Sequence, residues 1–230
     1  MVRSTAAERT SERRRPFGLI LAALDFGRRR RSNAEEANTR KRRFGTFFRR
    51  YGTTPFAGWC AAMASPALEG AREACAARRG RYVVLGSSTG TLCFYGAAFG
   101  FDVRGVDVLA PLVAVARGFA AKHPALGVGE DAFLCGDVRD AETCAAVVRG
   151  AALVVVCSSC WDVGLRDAYA ELLERELAAG SVVLDYSSTL DGRPGFHKLS
   201  ELSAPVSWAP DDNATLHAYA RVVGYASPTK

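Results

Sequence analysis

The chain has 230 residues, 49% of them hydrophobic and 23% charged, which is the balance of a globular domain and excludes a wholly disordered, collagen-like or coiled-coil chain. No apolar run reaches the ~18–20 residues that a bilayer crossing needs, so no membrane partner is expected; the longest candidate, residues 16–26, carries Asp25. The net charge of +6 is unevenly placed: residues 1–50 hold 15 Lys/Arg against 5 Asp/Glu, whereas residues 51–230 hold 15 against 19.

This asymmetry reads as a basic arm, 1–50, on a mildly acidic domain, 51–230. The arm carries three arginine clusters, 13–15, 28–31 and 40–43 (with Lys41), separated mainly by Ser, Thr, Asn, Ala and Glu. It buries too little apolar surface to offset chain entropy and is expected to be largely disordered, with a short helix available to 17–26. Three readings compete for it. One is a nuclear address with a nucleic-acid-binding arm, because paired basic clusters suit a receptor-read signal and arginine neutralises phosphates. The second is a solvated tail. The third is a cleaved targeting peptide, against which Glu8 and Glu12 count, transit peptides being acid-poor. The first implies a nuclear protein, failing which a cytoplasmic one.

Seven cysteines, Cys60, Cys75, Cys93, Cys135, Cys144, Cys157 and Cys160, follow the arm. An odd number, several within apolar runs, reads as free thiols in a reducing compartment. Cys157-x-x-Cys160 has no second Cys-x-x-Cys to complete a zinc site, so no metal is expected.

From residue 81 onward, apolar runs alternate with helical patterns. Strands are expected over 82–85, 101–108, 132–135, 152–157 and 181–186, and helices over 91–99, 109–122, 141–149 and 163–178. The unbroken apolar run at 152–157 marks a central strand covered on both faces. Strand–helix alternation gives a doubly wound, mainly parallel α/β sheet. The end differs: 196–208 and 214–223 read as two strands of an antiparallel hairpin, joined by the turn-forming Pro210-Asp211-Asp212-Asn213.

In such a sheet, ligands bind outside the carboxyl ends of the strands. Three features fall there. The first strand runs into Gly86-Ser87-Ser88-Thr89-Gly90, a loop that lets a ligand approach the backbone and the unpaired N–H groups of the next helix. The second ends at Asp107, which can accept two hydrogen bonds from a ribose diol. The third is followed by Asp137, which can accept from an adenine amino group, with Val138 flanking the ring. Together they suit an adenosine-containing cofactor. The loop lacks the Gly-x-Gly-x-x-Gly spacing of a dinucleotide site, and the hairpin and Asp137 point to S-adenosylmethionine.

Here the sequence resembles class I methyltransferases, and most closely the disruptor-of-telomeric-silencing family of histone-lysine methyltransferases. Tyr51-Gly52-Thr53-Thr54-Pro55-Phe56 is similar to that family's Tyr-Gly-Glu-Thr-x-Phe segment. Leu85-Gly86-Ser87-Ser88-Thr89-Gly90 resembles its glycine loop. Val156-Cys157-Ser158-Ser159-Cys160-Trp161 stands where the family has Val-Asn-Asn-x-x-Phe, and Val206-Ser207-Trp208 with Leu216-His217 is similar to its terminal hairpin. The resemblance implies a seven-stranded Rossmann-like sheet that binds S-adenosyl-L-methionine. It sets Tyr51, Thr53 and Thr54 over the methionine end of the cofactor, Gly86, Ser87, Ser88 and Gly90 in its loop, Asp107 on the ribose and Asp137 with Val138 on the adenine. Ser158 would lie near the methyl group, and Trp161 and Trp208 would wall a lysine channel. The implied substrate is a protein, histone or nucleosome.

The sequence departs from the family at four places. Val84 replaces the loop acid and Ser88 the middle glycine. Cys157-Ser158 replaces Asn-Asn, and Ala214 with Thr215 replaces the aromatic residues before Leu-His. These departures leave two alternatives open: a methyltransferase-like binding module without activity, or a methyltransferase for a non-histone or small-molecule acceptor.

Overall fold

The computed structural model describes residues 54–207 and 209–222. The basic arm, with the expected helix at 17–26, and Tyr51, Thr53 and Trp208 lie outside the described residues.

The elements run α1 (Phe56–Met63), a 3-10 turn (Pro66–Leu68), α2 (Glu69–Ala76), β1 (Arg81–Leu85), α3 (Thr91–Ala98), β2 (Val103–Asp107), α4 (Ala110–Lys122) and β3 (Phe133–Cys135). They continue with α5 (Ala141–Val148), β4 (Ala151–Val156), α6 (Val163–Glu176), β5 (Val182–Asp185), β6 (Phe196–Val206) and β7 (Ala209–Arg221). The sheet order is β3-β2-β1-β4-β5-β7-β6. The first five strands are parallel; β7 runs antiparallel to β5 and β6. The expected α/β sheet with its antiparallel hairpin is therefore present. Its strand order reverses at β1, between β2 and β4, the place outside whose carboxyl ends sheets of this kind bind ligands.

Alternation along the strands builds two cores. Tyr82 and Val84 on β1, with Leu153 and Val155 on β4, pack with Trp59, Met63, Phe94 and Phe133 on one face. Val83, Leu85, Val154 and Val156 pack with α5 and α6 through Val148, Tyr169 and Leu173 on the other. Four consecutive β4 residues, Leu153 to Val156, have no exposed surface. This is why the run at 152–157 shows no polar alternation. Helix starts follow local chemistry: Asp140 accepts from Thr143 N to cap α5, Asp162 accepts from Leu165 N to cap α6, and Pro111 stands in the first turn of α4.

The hairpin turn sits elsewhere than expected. β6 ends at Val206 and β7 opens at Ala209, so the chain reverses between these two strands and not at 210–213. Pro210 to Asn213 lies within β7 instead, where the register slips between Pro205↔Asn213 and Val206↔Ala209. A turn-forming composition is accommodated by a strand irregularity, which leaves residues unpaired much as a turn does.

Candidate active site

The carboxyl ends of β1 and β2 are joined by Asp107. Its two carboxylate oxygens accept the backbone N–H of Ser88 (2.7 Å) and of Leu109 (2.9 Å). The glycine loop is thereby fastened to the neighbouring strand. It turns on Gly86 (φ +74°) and Gly90 (φ +83°), with Ser88 also left-handed at φ +51°. Glycine is required at the two outer positions by space as well. A Cβ on Gly86 would stand 2.9 Å from Trp161 Cζ2, and one on Gly90 2.7 Å from Phe133 Cε1. Ser88 instead adopts the conformation at a cost of roughly 1–2 kcal/mol, against which its bond to Asp107 works. Ser87 is buried, its Oγ lying 2.9 Å from where a Cβ on Gly105 would sit, so it supports the loop from below.

The other expected site residues fall near this rim with varied exposure. Asp137 follows β3 and forms a two-pronged ion pair with Arg139, Arg139 Nη2 lying 2.5 Å from its Oδ2; these bonds hold its carboxyl below the ordinary aspartate range. Val138 is buried in the α5–α6 core. Asp107 and Asp137 are thus not equivalent: one clamps the loop, the other holds an arginine.

After β4, Cys157 N donates to Leu85 O, and Ser158 is fully buried. Its hydroxyl donates to Asp185 and lies 2.9 Å from Ser187 Oγ, so in this arrangement it faces a buried carboxylate and not an incoming acceptor. Burial pushes the Cys157 thiol up to about 12, leaving it neutral at pH 7 and unsuited to nucleophilic attack. Trp161 is half-buried. Its backbone N–H donates to Ser158 O (2.9 Å) and its indole meets Tyr169 edge-on at 5.6 Å between centroids. Thr54, buried ahead of α1, lies with its Oγ1 2.5 Å from the Tyr186 hydroxyl, which brings the segment before the sheet to the end of β5.

Asp185, Tyr169, Tyr186, Ser187 and Arg139 were not anticipated from the sequence. Asp185 carried a readable signal, because it closes the apolar run Val182-Val183-Leu184 as Asp107 closes β2. Arg139 had only its two-residue spacing from Asp137.

For an adenosine cofactor, the ribose end fits. Each Asp107 oxygen accepts one backbone N–H and retains a second lone pair, and Val108 beside it is 59% exposed, an apolar surface at the rim. At the end expected to hold the adenine, the Asp137 carboxylate is already engaged by Arg139, whose side chain is exposed and would stay solvated if the pair opened.

No family model matches the chain, and no curated protein matches it. Among solved structures, TrmN from Thermus thermophilus is 16% identical, covering 73% of this chain at a TM-score of 0.52; this chain spans 52% of that one. The PH0226 protein from Pyrococcus horikoshii OT3 is 14% identical over 71% of this chain and 91% of its own, at 0.51. An RNA methyltransferase from Salinibacter ruber, solved with S-adenosyl-L-homocysteine, is 17% identical over 72% of this chain and 97% of its own, at 0.47. At such identities the likeness is one of fold. The strand order, the antiparallel hairpin and the glycine loop at the reversal make this an α/β methyltransferase-like fold.

Proposed function

We propose that the rim formed by Gly86, Ser88, Gly90 and Asp107 binds S-adenosyl-L-methionine, and that the chain is a methyltransferase acting on lysine side chains of a protein, histone-like in character. The observation that supports the cofactor reading is the Ser88–Asp107 bond, which joins a glycine loop to a carboxylate with spare lone pairs where the strand order reverses. The lysine reading rests on the resemblance to the disruptor-of-telomeric-silencing family, and a β6–β7 hairpin carrying Val206 and Leu216 supports it. When bound, the cofactor supplies a sulfonium methyl group open to in-line displacement. The protein's part is alignment and exclusion of water. A lysine amine has a reference pKa near 10.4, about three units above neutrality. A dry wall such as the Trp161 indole favours its neutral, nucleophilic form by desolvation. On this reading the basic arm holds nucleic acid near the acceptor in the nucleus.

A second reading, a binding module without transfer activity, draws on a specific pattern. The Ser88 N–H, the Asp137 carboxylate and the Ser158 hydroxyl already have partners within the chain, and Trp161 packs against Gly86. Calorimetry with S-adenosylhomocysteine, together with radiolabelled methyl transfer to nucleosomes, free histones and a cell extract, separates the readings. Label on histones supports the first; ligand binding with label on nothing supports the second. Absence of binding sinks both.

A further inference from the structure

Asp185 ends β5 beneath the rim with no exposed surface, yet among the described residues its hydrogen-bond partners include no cation. Its carboxylate is surrounded by the hydroxyls of Ser158 and Tyr169, the Ser187 hydroxyl at 2.9 Å and the Ser187 backbone N–H at 3.1 Å. Thr189 Oγ1 extends the set, 2.7 Å from Ser187 Oγ. A buried carboxylate without a countercharge is costly, and four donors converging on it give short, directional bonds that fix their owners.

Two of those owners, Ser158 and Tyr169, also hold Trp161. Ser158 O accepts the Trp161 N–H, setting the backbone of the tight turn after β4. Tyr169, on α6, presents its ring edge-on to the indole. The indole reaches Gly86, whose missing Cβ is the space that Cζ2 uses. A continuous chain of contacts thus runs from Asp185 through Ser158 and Tyr169 to Trp161 and the glycine loop. We propose that Asp185 is a positioning residue: acting through Ser158 and Tyr169, it fixes the Trp161 indole across Gly86 and so shapes the wall beside which the methyl acceptor enters. The acceptor part of this statement rests on the methyltransferase reading; the fixing of Trp161 does not.

The test labels the full chain with 5-fluorotryptophan. The sequence has three tryptophans, and Trp161→Phe identifies which 19F resonance belongs to Trp161. Tyr169→Phe keeps the ring against the indole and removes only the hydroxyl, Ser158→Ala removes the second hydroxyl, and Asp185→Asn removes the charge. In each variant the Trp161 resonance is expected to shift or broaden while that of Trp59, assigned by Trp59→Phe, holds. With histones as acceptor, KM is expected to rise roughly three- to tenfold, the scale of one lost hydrogen bond, with calorimetric affinity for S-adenosylhomocysteine within about twofold. A Trp161 resonance that stays in place in all three variants overturns the inference, whatever the activity. If the resonance moves but the unmutated protein neither binds the nucleoside nor transfers methyl groups, the fixing of Trp161 stands and the methyltransferase reading falls.

Discussion

Asp107 and Asp185 each close a parallel strand, and their surroundings differ in burial and in bonding partners. Asp107 is half-exposed and accepts two backbone N–H groups. Replacing it with alanine strips both donors of their acceptor, at about 1–3 kcal/mol for each that stays buried. Asp107→Ala is expected to lower the thermal midpoint and to weaken S-adenosylhomocysteine binding more than tenfold by calorimetry; unchanged affinity would remove the ribose assignment. Asp185 is sealed, and burial raises its carboxyl above the ordinary aspartate range despite the hydroxyls that favour the charged form. Tyr169, Tyr219 and Cys157 are its titratable neighbours, all with proton affinity raised by burial, and His217 stands opposite on β7. A carboxyl raised on folding takes up protons more readily in the folded state. Its stabilising contribution is therefore complete below ~3.9, the unfolded value, and is lost as pH climbs through the raised folded value. Urea unfolding between pH 4 and 7 is expected to show the wild-type protein losing stability relative to Asp185→Asn as pH rises; a constant gap would contradict the raised carboxyl. Gly86→Ala adds a left-handed strain of roughly 1–2 kcal/mol to a collision with Trp161. It is expected to lower the midpoint and displace the Trp161 fluorine resonance.

The β4–α6 connection is the element on which the site turns. It begins at Cys157, bonded to Leu85 O, and ends at Asp162, whose Oδ1 accepts Leu165 N at 2.8 Å to cap α6. Asp162→Ala is expected to cost about 1 kcal/mol in urea unfolding with no change in slope, as loss of a cap does. A much larger loss would mean that the connection itself had reorganised. This cap was not read from the sequence, although its signal is local: an aspartate three residues ahead of the N–H that it accepts. The helices α1 and α2 were not read from the sequence. Their eight-residue spans are short, and α1 is apolar on nearly every side because it packs beneath the sheet at Trp59 and Met63. The hairpin was legible as two strands but not in its turn, since proline and aspartate at 210–212 satisfy a strand irregularity as well as a reversal. That choice is made by pairing with β6, which no local window contains.

At the scale of the whole molecule, the charge division has a measurable consequence. Residues 1–50 carry a net +10 and residues 51–230 a net −4. If the arm contacts nucleic acid, affinity should fall steeply with salt, log K declining linearly against log salt through counterion release. Deleting residues 1–50 is expected to abolish both affinity and slope in an anisotropy titration with a DNA duplex. Retained binding would assign the contact to the domain instead.

What the sequence by itself determined is local in origin. The alternation of strands and helices, the burial of β4, the glycine loop and the acid ending β2 all follow from periodicity and from residue types at fixed local spacing. What only the tertiary structure decided is the choice of partner for each polar group. Ser158 and Asp185 are 27 residues apart in the chain and meet because the neighbouring parallel strands β4 and β5 end side by side; Thr54 and Tyr186 are 132 apart and meet because the segment ahead of α1 reaches the end of β5. A hydroxyl or carboxylate in a sequence announces its capacity to bond, whereas the low-dielectric crevice in which that bond becomes strong exists only once the sheet has closed around it.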